Sequence, residues 1–85
     1  MIHRTTPEFW DAFEELPDDV KTLARKNFEL LKADPKHLSL RFKKVGPYWS
    51  ARVGRNYRVL AREGEGKFAW FWIGPHAGYE RFLKA

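Results

Sequence analysis

Residues 70–79 read WFWIGPHAGY and join an aromatic run to a glycine, a proline and a histidine. The run from Phe68 to Ile73 is apolar at almost every position, which is typical of a strand that is buried on both faces. Gly74 and Pro75 end that strand, and from about His76 the chain takes a helical pattern with Tyr79, Phe82 and Leu83 on one side. His76 therefore lies at the mouth of a core strand, where it is either a reacting group or the polar residue that ends the strand.

Three segments upstream of this strand alternate apolar and polar residues with a period of two, as half-buried strands do. Their apolar positions are Leu38, Leu40 and Phe42, then Trp49, Ala51 and Val53, then Tyr57, Val59 and Ala61. Glycine-containing turns at 46–47, 54–56 and 64–66 separate the strands. The pattern predicts a four-stranded, mainly antiparallel meander. Trp49, Val53, Val59 and Phe71, or neighbours of Phe71, are expected to pack against helices.

Residues 7–34 predict two helices that form a hairpin with an apolar seam. Thr6 and Pro7 fit an N-cap followed by a first-turn proline, although Thr5 with Glu8 could form a capping box instead. The second helix is expected to begin at Asp18 or Asp19 and to end at Asp34-Pro35. The apolar stripes are Phe9, Phe13 and Leu16 in the first helix and Val20, Leu23, Ala24, Asn27 or Phe28, and Leu31 in the second. Residues 1–6 fit either a very short edge strand or a frayed lead-in.

These elements predict an α+β fold: an N-terminal helical hairpin packed on a four-stranded, mainly antiparallel sheet, with a short C-terminal helix. A chain of 85 residues forms one domain, here residues 1–85. Four Trp, seven Phe and three Tyr supply much of the burial that a small core needs. The absence of Cys fits a reducing compartment, and the first 20 residues contain no apolar run typical of a signal peptide or a membrane span. We therefore expect a soluble cytoplasmic protein with no membrane contact.

The net charge of +5 is unevenly distributed along the chain. Residues 7–35 contain eight acidic and four basic residues, whereas residues 36–85 contain eleven basic and three acidic ones. Strand alternation places Arg41, Lys43, Arg52, Arg58 and Arg62 on the side of the sheet opposite the apolar residues. Such a face either binds a polyanion, such as nucleic acid or an acidic protein segment, or is simply solvated.

The segments SLRFKKV (39–45), RVGRNYRVL (52–60) and WFWIGPHAGY (70–79) together resemble the RelE/ParE superfamily of toxin–antitoxin toxins. The similarity extends over nearly the whole chain, and the order of basic meander, Tyr-Arg strand and Gly-x-His strand end carries it. The resemblance implies a RelE-like fold, no cofactor or metal, and a cognate antitoxin as partner. It also implies one of two activities: RelE-like members cut mRNA on the ribosome and inhibit translation, whereas ParE-like members bind DNA gyrase.

Carried onto this sequence, the resemblance places a phosphate-binding arginine at Arg58, a catalytic histidine at His76 and the C-terminal tyrosine of the ribonucleases at Tyr79. The remaining basic residues of the meander would bind the RNA backbone; they are Arg41, Lys43, Lys44, Arg52, Arg55 and Arg62. RNA cleavage without a metal requires activation of the 2′-OH and stabilisation of the phosphoryl charge. A histidine and an arginine suit these two tasks, and Tyr79 would either stack on a base or orient its neighbours.

The sequence departs from the pattern at four places, one of which is a first strand that is reduced or missing. Tyr48 and Ser50 occupy the strand positions where one ribonuclease branch has a lysine pair, so a lysine-dependent reaction would need Lys43 or Lys44. Tyr79 lies closer to the strand end than is usual, and the turn at 54–56 is one residue longer. A gyrase-binding protein of the ParE kind, or a catalytically decayed relative that binds only its antitoxin, therefore remains an alternative. A zinc site built from His3, His37 and His76 is not expected, because they lack close ligand spacing.

Overall fold

A five-stranded sheet with helices on both faces makes up the part of the chain that the computed structural model describes, residues 2–84. The strands lie in the order β1-β5-β4-β3-β2. Their bounds are β1 Ile2–Thr5, β2 Lys43–Val45, β3 Tyr48–Val53, β4 Tyr57–Gly64 and β5 Lys67–Pro75. The helices are α1 Pro7–Glu14, α2 Asp18–Ala33 and α3 His76–Lys84, and a 3-10 helix covers Leu38–Leu40.

The α+β class is confirmed, but the prediction of four strands is wrong. The fifth strand is β1, which pairs in parallel with Lys67–Trp70 of β5, while the other three pairings are antiparallel. Of the two interpretations of residues 1–6, the short edge strand is the one observed. Four residues are too few to show a clear strand period, and their partner lies more than 60 positions away, so the parallel pairing left little signal in the local sequence.

The first strand predicted for the meander, residues 38–43, is also wrong. His37 Nδ1 accepts a hydrogen bond from Ser39 N at 3.2 Å and so caps the 3-10 helix, which ends where Arg41 adopts a left-handed conformation with φ 46°. Leu40 is 1% exposed and Leu38 is 89% exposed, although a strand would place both on one face. The strand itself is limited to Lys43–Val45.

The two N-terminal helices begin close to the predicted positions. Thr6 is the N-cap of α1, since its Oγ1 accepts from Phe9 N at 3.3 Å. The predicted hairpin layout is wrong, because α1 packs mainly against β5 and α2 against β3. With only eight residues α1 is too short for an extended seam with α2. The helices still touch, through a 3.6 Å ion pair between Glu14 and Lys21.

The main core lies between these two helices and the sheet. It combines residues of α1, the loop before α2, α2, the 3-10 helix and strands β3, β4 and β5: Phe9, Phe13, Leu16, Ala24, Leu31, Leu40, Ala51, Val53, Ala61, Phe68, Trp70 and Ile73. Trp70 is fully buried there.

A register shift between Leu60 and Ala61, in the pairing of β4 with β5, produces a second, smaller core. Leu60 pairs with Trp72 and Ala61 pairs with Trp70, so Phe71 is the extra residue of a bulge. Phe71 and Trp72 consequently both lie on the face away from α1 and α2, where α3 covers them. Of the two alternatives predicted for this strand, the neighbours of Phe71 are the ones that pack on the N-terminal helices, namely Trp70 and Ile73. Leu83, expected on the packed side of α3, is 44% exposed.

The indole of Trp72 lies directly over two glycines that flank His76. A Cβ at Gly74 would overlap the Trp72 ring, and a Cβ at Gly78 would lie 2.8 Å from its Cζ2 atom. At both glycines the added Cβ would be closer to the Trp72 ring than real Cβ contacts are. The spacing Gly74-x-His76-x-Gly78 therefore lets the start of α3 lie close to β5, and this close approach fixes where His76 begins the helix.

The substitution Gly74→Ala is expected to destabilise the fold by about 1–3 kcal/mol, because the added methyl group displaces the Trp72 ring. Gly64→Ala is the matched control: Gly64 also lies in a strand, but a Cβ there meets nothing within 4 Å, so its effect should stay within about 0.5 kcal/mol. Chemical denaturation measures both values. Adding Trp72→Leu to Gly74→Ala should recover part of the loss. Equal stabilities of the two alanine variants would contradict this packing role.

A histidine takes part in the edge of the main core. Trp70 Nε1 donates a 3.0 Å hydrogen bond to His3 Nδ1, and the imidazole stacks on Phe68 with ring centroids 5.2 Å apart. Burial lowers the pKa of His3 from its ordinary value. Protonation would also place a proton on the atom that accepts from Trp70, so this hydrogen bond between β1 and β5 requires a neutral His3.

We expect the stability of the fold to decrease as the pH falls below the unfolded-state pKa of His3, about 6.5. The unfolded chain binds the His3 proton more readily than the folded one does, so this contribution is complete above that pH and is lost progressively below it. Unfolding free energies from pH 7 to pH 5 should fall less steeply in His3→Gln than in the wild type. Equal slopes in His3→Gln and the wild type would contradict this role of His3.

Candidate functional site

A cavity of about 320 Å³ opens on the face of the sheet away from α1 and α2. Its walls come from the end of the 3-10 helix, from β2, β3 and β4, and from the first turn of α3. The lining residues are Arg41, Lys43, Ser50, Arg52, Arg58, His76 and Tyr79. Four cations, an imidazole and a phenol thus share one polar cavity. No acidic residue belongs to this lining, so no carboxylate in it competes with a bound anion for the four cations.

Strand register explains why these cations are together. Lys43 pairs with Ser50 across β2 and β3, and Arg52 pairs with Arg58 across β3 and β4. Residues paired in an antiparallel ladder project on the same face. Their sequence neighbours Ala51, Val53 and Val59 project on the opposite face, into or against the main core. The basic face is therefore the reverse side of the hydrophobic one.

The pairing of Arg52 with Arg58 sets two positive charges directly across a ladder, an arrangement that destabilises a sheet. Each guanidinium is bound to a backbone carbonyl: Arg52 Nε donates to Gly54 O at 3.0 Å, and Arg58 Nη1 donates to Tyr57 O at 2.9 Å. Burial, followed by repulsion from Arg52, lowers the pKa of Arg58 from its ordinary value. The guanidinium stays charged at neutral pH, so a bound anion would relieve both the desolvation and the repulsion.

Arg41 reaches the same cavity from a different element. Its left-handed backbone follows the last turn of the 3-10 helix, where its N–H donates to Leu38 O at 3.3 Å. A non-glycine residue in this region of φ and ψ is strained by about 1–3 kcal/mol. Glycine would relieve the strain but would remove the guanidinium from the cavity.

His76 is held at the boundary between β5 and α3 by backbone and side-chain contacts. Its N–H donates to Asn56 O at 2.9 Å, which ties it to the turn between β3 and β4. Nδ1 of its ring lies 3.1 Å from Glu80 Oε1, and its ring centroid lies 5.4 Å from that of Tyr79. The side chain is 48% exposed, so a substrate has access to it.

Tyr79 connects the cavity to the second core. It is only 7% exposed and packs with Leu60 and Phe71, and the centre of its ring lies 5.9 Å from Arg58 Cζ. This burial leaves little ring surface on which a base could stack. Of the two roles considered for Tyr79, orientation of neighbouring groups fits the structure better than stacking.

The structure brings together six of the nine predicted site residues and places three elsewhere. Lys44 pairs with Trp49 and therefore projects on the side of the main core, away from the cavity. Arg55 lies in the exposed turn between β3 and β4. Arg62 shares the basic face, but its Cζ lies 3.9 Å from the centre of the Phe71 ring and it does not line the cavity. Alternation already separates Lys44 from Lys43. The position of Arg55 in the turn and the contact of Arg62 with Phe71 were not evident from alternation alone.

Two residues near the cavity were not among the predicted site residues. Ser50 is 3% exposed and lines the cavity between Lys43 and the arginines. Glu80 contacts His76, and its signal was available, since residues four apart on a helix are neighbours. The residues of 2–84 contain no group of three His, Cys, Asp or Glu side chains that could hold a metal ion. No helix within 2–84 is both long and apolar enough to cross a membrane.

A scan against protein-family models and a search of curated protein sequences found no match. Solved structures, by contrast, match over nearly their whole length. The RelB-RelE antitoxin-toxin complex from Methanococcus jannaschii matches with a TM-score of 0.73 and 15% identity, over 94% of this chain and 98% of that one. A YoeB/ParE toxin from Agrobacterium tumefaciens matches with a TM-score of 0.64 and 21% identity, over 89% and 99%.

The isolated RelE toxin from E. coli matches with a TM-score of 0.62 and 10% identity, over 96% of this chain and 98% of that one. At these identities the similarity establishes architecture rather than activity. The resemblance to the RelE/ParE superfamily that the sequence indicates is thus confirmed for the fold: this chain has the RelE-like fold.

Proposed function

We propose that this chain is the toxin of a type II toxin–antitoxin system and inhibits translation as a metal-independent endoribonuclease that cuts mRNA on the ribosome in the cytoplasm. The observation that carries the proposal is the cavity in which His76 and Tyr79 share walls with Arg41, Lys43, Arg52 and Arg58. A proton-transfer group beside several cations is what phosphodiester cleavage in RNA requires. The fold shared with RelE and YoeB/ParE toxins supports the same function.

In this reaction the ribose 2′-oxygen attacks the adjacent phosphorus, and the bond to the 5′-oxygen breaks. Arg58 binds the non-bridging phosphoryl oxygens, whose negative charge increases in the transition state. His76 transfers a proton, and Tyr79 orients the neighbouring Arg58 and His76. Arg41, Lys43 and Arg52 bind the RNA backbone on either side. Lys44, Arg55 and Arg62 lie outside the cavity and at most add to the general attraction for RNA.

The proposed partners are a cognate antitoxin and ribosome-bound mRNA, and the proposed reaction needs no small-molecule cofactor. The M. jannaschii structure is an antitoxin-toxin complex, which supports the first of these partners for this chain as well. An antitoxin with acidic residues would suit the cationic cavity by charge complementarity.

Inhibition of DNA gyrase without RNA cleavage is the competing function. The similarity to a YoeB/ParE toxin favours it, as does the presence of Tyr48 and Ser50 where a lysine pair would otherwise extend the cationic site. In that case cells that express the chain would accumulate DNA damage while their mRNA stays intact. A decayed relative that only binds its antitoxin would produce neither effect.

Primer extension on mRNA from cells that express the chain tests the proposed activity. Wild type should produce cleavage sites within translated regions, and His76→Ala and Arg58→Ala should each reduce cleavage by roughly 10²-fold or more. Lys44→Ala and Arg55→Ala are controls that each remove one positive charge outside the cavity and should cleave nearly as wild type does. Intact mRNA together with broken DNA would refute the ribonuclease and support the gyrase inhibitor.

The strained backbone of Arg41 allows RNA binding to be separated from stability. Arg41→Gly is expected to raise the free energy of unfolding by about 1 kcal/mol, because glycine adopts the left-handed conformation without strain. The same change should weaken binding of a short single-stranded RNA. It should also reduce the magnitude of the slope of log K against log salt concentration by about 0.7, which corresponds to the loss of one phosphate contact. Glu65→Gly, at a second left-handed position with φ 53°, should stabilise the fold without changing RNA affinity. Loss of affinity in both variants would contradict a specific role for Arg41.

A further inference from the structure

The contact between His76 and Glu80 has a geometry that constrains the imidazole. Nδ1 of His76 lies 3.1 Å from Oε1 of Glu80, four residues later on the same helix. Both side chains are about half exposed, so the contact is not forced by burial. Of the described acidic residues, Glu80 alone forms an ion pair or hydrogen bond with a residue that lines the cavity.

We propose that Glu80 is a positioning residue that holds His76 in the Nδ1–H tautomer and thereby presents an unprotonated Nε2 atom to the substrate. The proposal rests on the proposed ribonuclease function and specifies which nitrogen acts and in which direction the proton moves. A carboxylate only accepts hydrogen bonds, so the contact requires the proton of a neutral His76 to be on Nδ1. Nε2 then carries a lone pair and acts as the general base.

The resulting step is balanced in atoms and electrons. Nε2 takes the proton of the 2′-OH while the 2′-oxygen forms its bond to phosphorus. The bond from phosphorus to the 5′-oxygen breaks, its electron pair stays on that oxygen, and the oxygen takes a proton from water. The hydroxide that remains takes the proton from Nε2, which restores neutral His76. The products are a 2′,3′-cyclic phosphate and a 5′-hydroxyl, and no oxidant, reductant or metal is required.

Electrostatics gives a second reason for a carboxylate at this position. When His76 accepts a proton, it becomes a cation in a cavity already lined by Arg41, Lys43, Arg52 and Arg58. Repulsion from these four residues opposes the transfer. Glu80 approaches the ring from α3 at the Nδ1 side and offsets part of this repulsion, while leaving the arginines free to bind phosphate because it does not line the cavity.

Backbone contacts elsewhere in the structure fix the position of His76 relative to this carboxylate. The backbone N–H of His76 is bound to Asn56 O, and the close approach of Gly74 and Gly78 to Trp72 fixes the first turn of α3. Tyr79 lies 5.4 Å from the imidazole, centre to centre, with 48° between the planes. Within residues 2–84, the contact with Glu80 is the one ion pair or hydrogen bond formed by the imidazole, so it is the contact that selects a tautomer.

Nitrogen-15 NMR of the imidazole, in the full chain without RNA at about pH 8, tests the contact directly. This buffer pH is chosen well above the reference histidine pKa of about 6.5, so that the two neutral tautomers are the forms compared. Wild type is expected to show His76 mainly as the Nδ1–H tautomer. Glu80→Ala should return it to the Nε2–H form that free histidine prefers, and Glu80→Gln, whose amide both donates and accepts, should give a mixture. Glu15→Gln, a change at an exposed acid on the opposite side of the sheet, should leave the tautomer unchanged.

Cleavage of mRNA on purified ribosomes provides the second readout. Glu80→Ala should lower kcat by about 10-fold, less than the 10²-fold or greater loss expected for a removed proton-transfer group, and should leave KM unchanged because Glu80 does not touch the substrate. Thermal unfolding of the variant shows whether its fold is intact. A tautomer that does not change in Glu80→Ala, or a loss confined to KM, would overturn the positioning role.

The two proposals fail in distinguishable ways. If wild type leaves mRNA uncut while the tautomer still depends on Glu80, the proposed function is refuted and with it the catalytic purpose assigned to the contact. If wild type cuts mRNA but the tautomer is indifferent to Glu80, the ribonuclease stands and the positioning role is refuted.

Discussion

The close contact of Trp72 with Gly74 and Gly78 is the constraint on which the candidate site depends. The bulge at Phe71 turns two successive aromatic side chains to the face away from α1 and α2, and this creates an apolar patch on a face that is otherwise basic. α3 packs on that patch through Tyr79 and Phe82. Because the indole fits only where no Cβ is present, the helix can begin only at the position that brings His76 to the cavity.

One side chain can therefore serve packing and chemistry at the same time. Tyr79 is buried against Leu60 and Phe71, and this fixes the ring that lies beside Arg58 and His76. A site on loops alone would have to order its groups when the ligand binds, at a cost in conformational entropy. Here packing of the second core orders these groups during folding, so the imidazole of His76 and the guanidinium of Arg58 are already near each other before a ligand binds.

The sequence predicted the side-chain directions within strands better than it predicted bulges, caps and the pairing of distant segments. Alternation correctly assigned Arg52 and Arg58 to one face and Ala51 and Val59 to the other, because side-chain direction in a strand follows directly from position. It did not predict the bulge at Phe71, since a run that is apolar on both faces looks the same with one residue more or less. The parallel pairing of the edge strand and the left-handed conformation of Arg41 were not predicted for a related reason: the first depends on a distant partner and the second on a local cap, and neither leaves a period in the sequence.

The acidic residues and the basic cavity lie on opposite faces of the sheet. The acidic residues are concentrated in residues 7–35, which form α1 and α2 on one face, while the cavity opens on the other. Among the residues that the structure describes, no acid forms an ion pair with Arg52 or Arg58, so no protein carboxylate neutralises these two guanidiniums. An arrangement that spread the same charges evenly would repel itself less but would attract anions less.

The lowered pKa of Arg58 shows the effect of this charge distribution at one residue, because burial desolvates its guanidinium and Arg52 repels it. Binding of an anion would therefore stabilise the folded protein as well as satisfy the site, by the linkage that holds for any ligand of the native state.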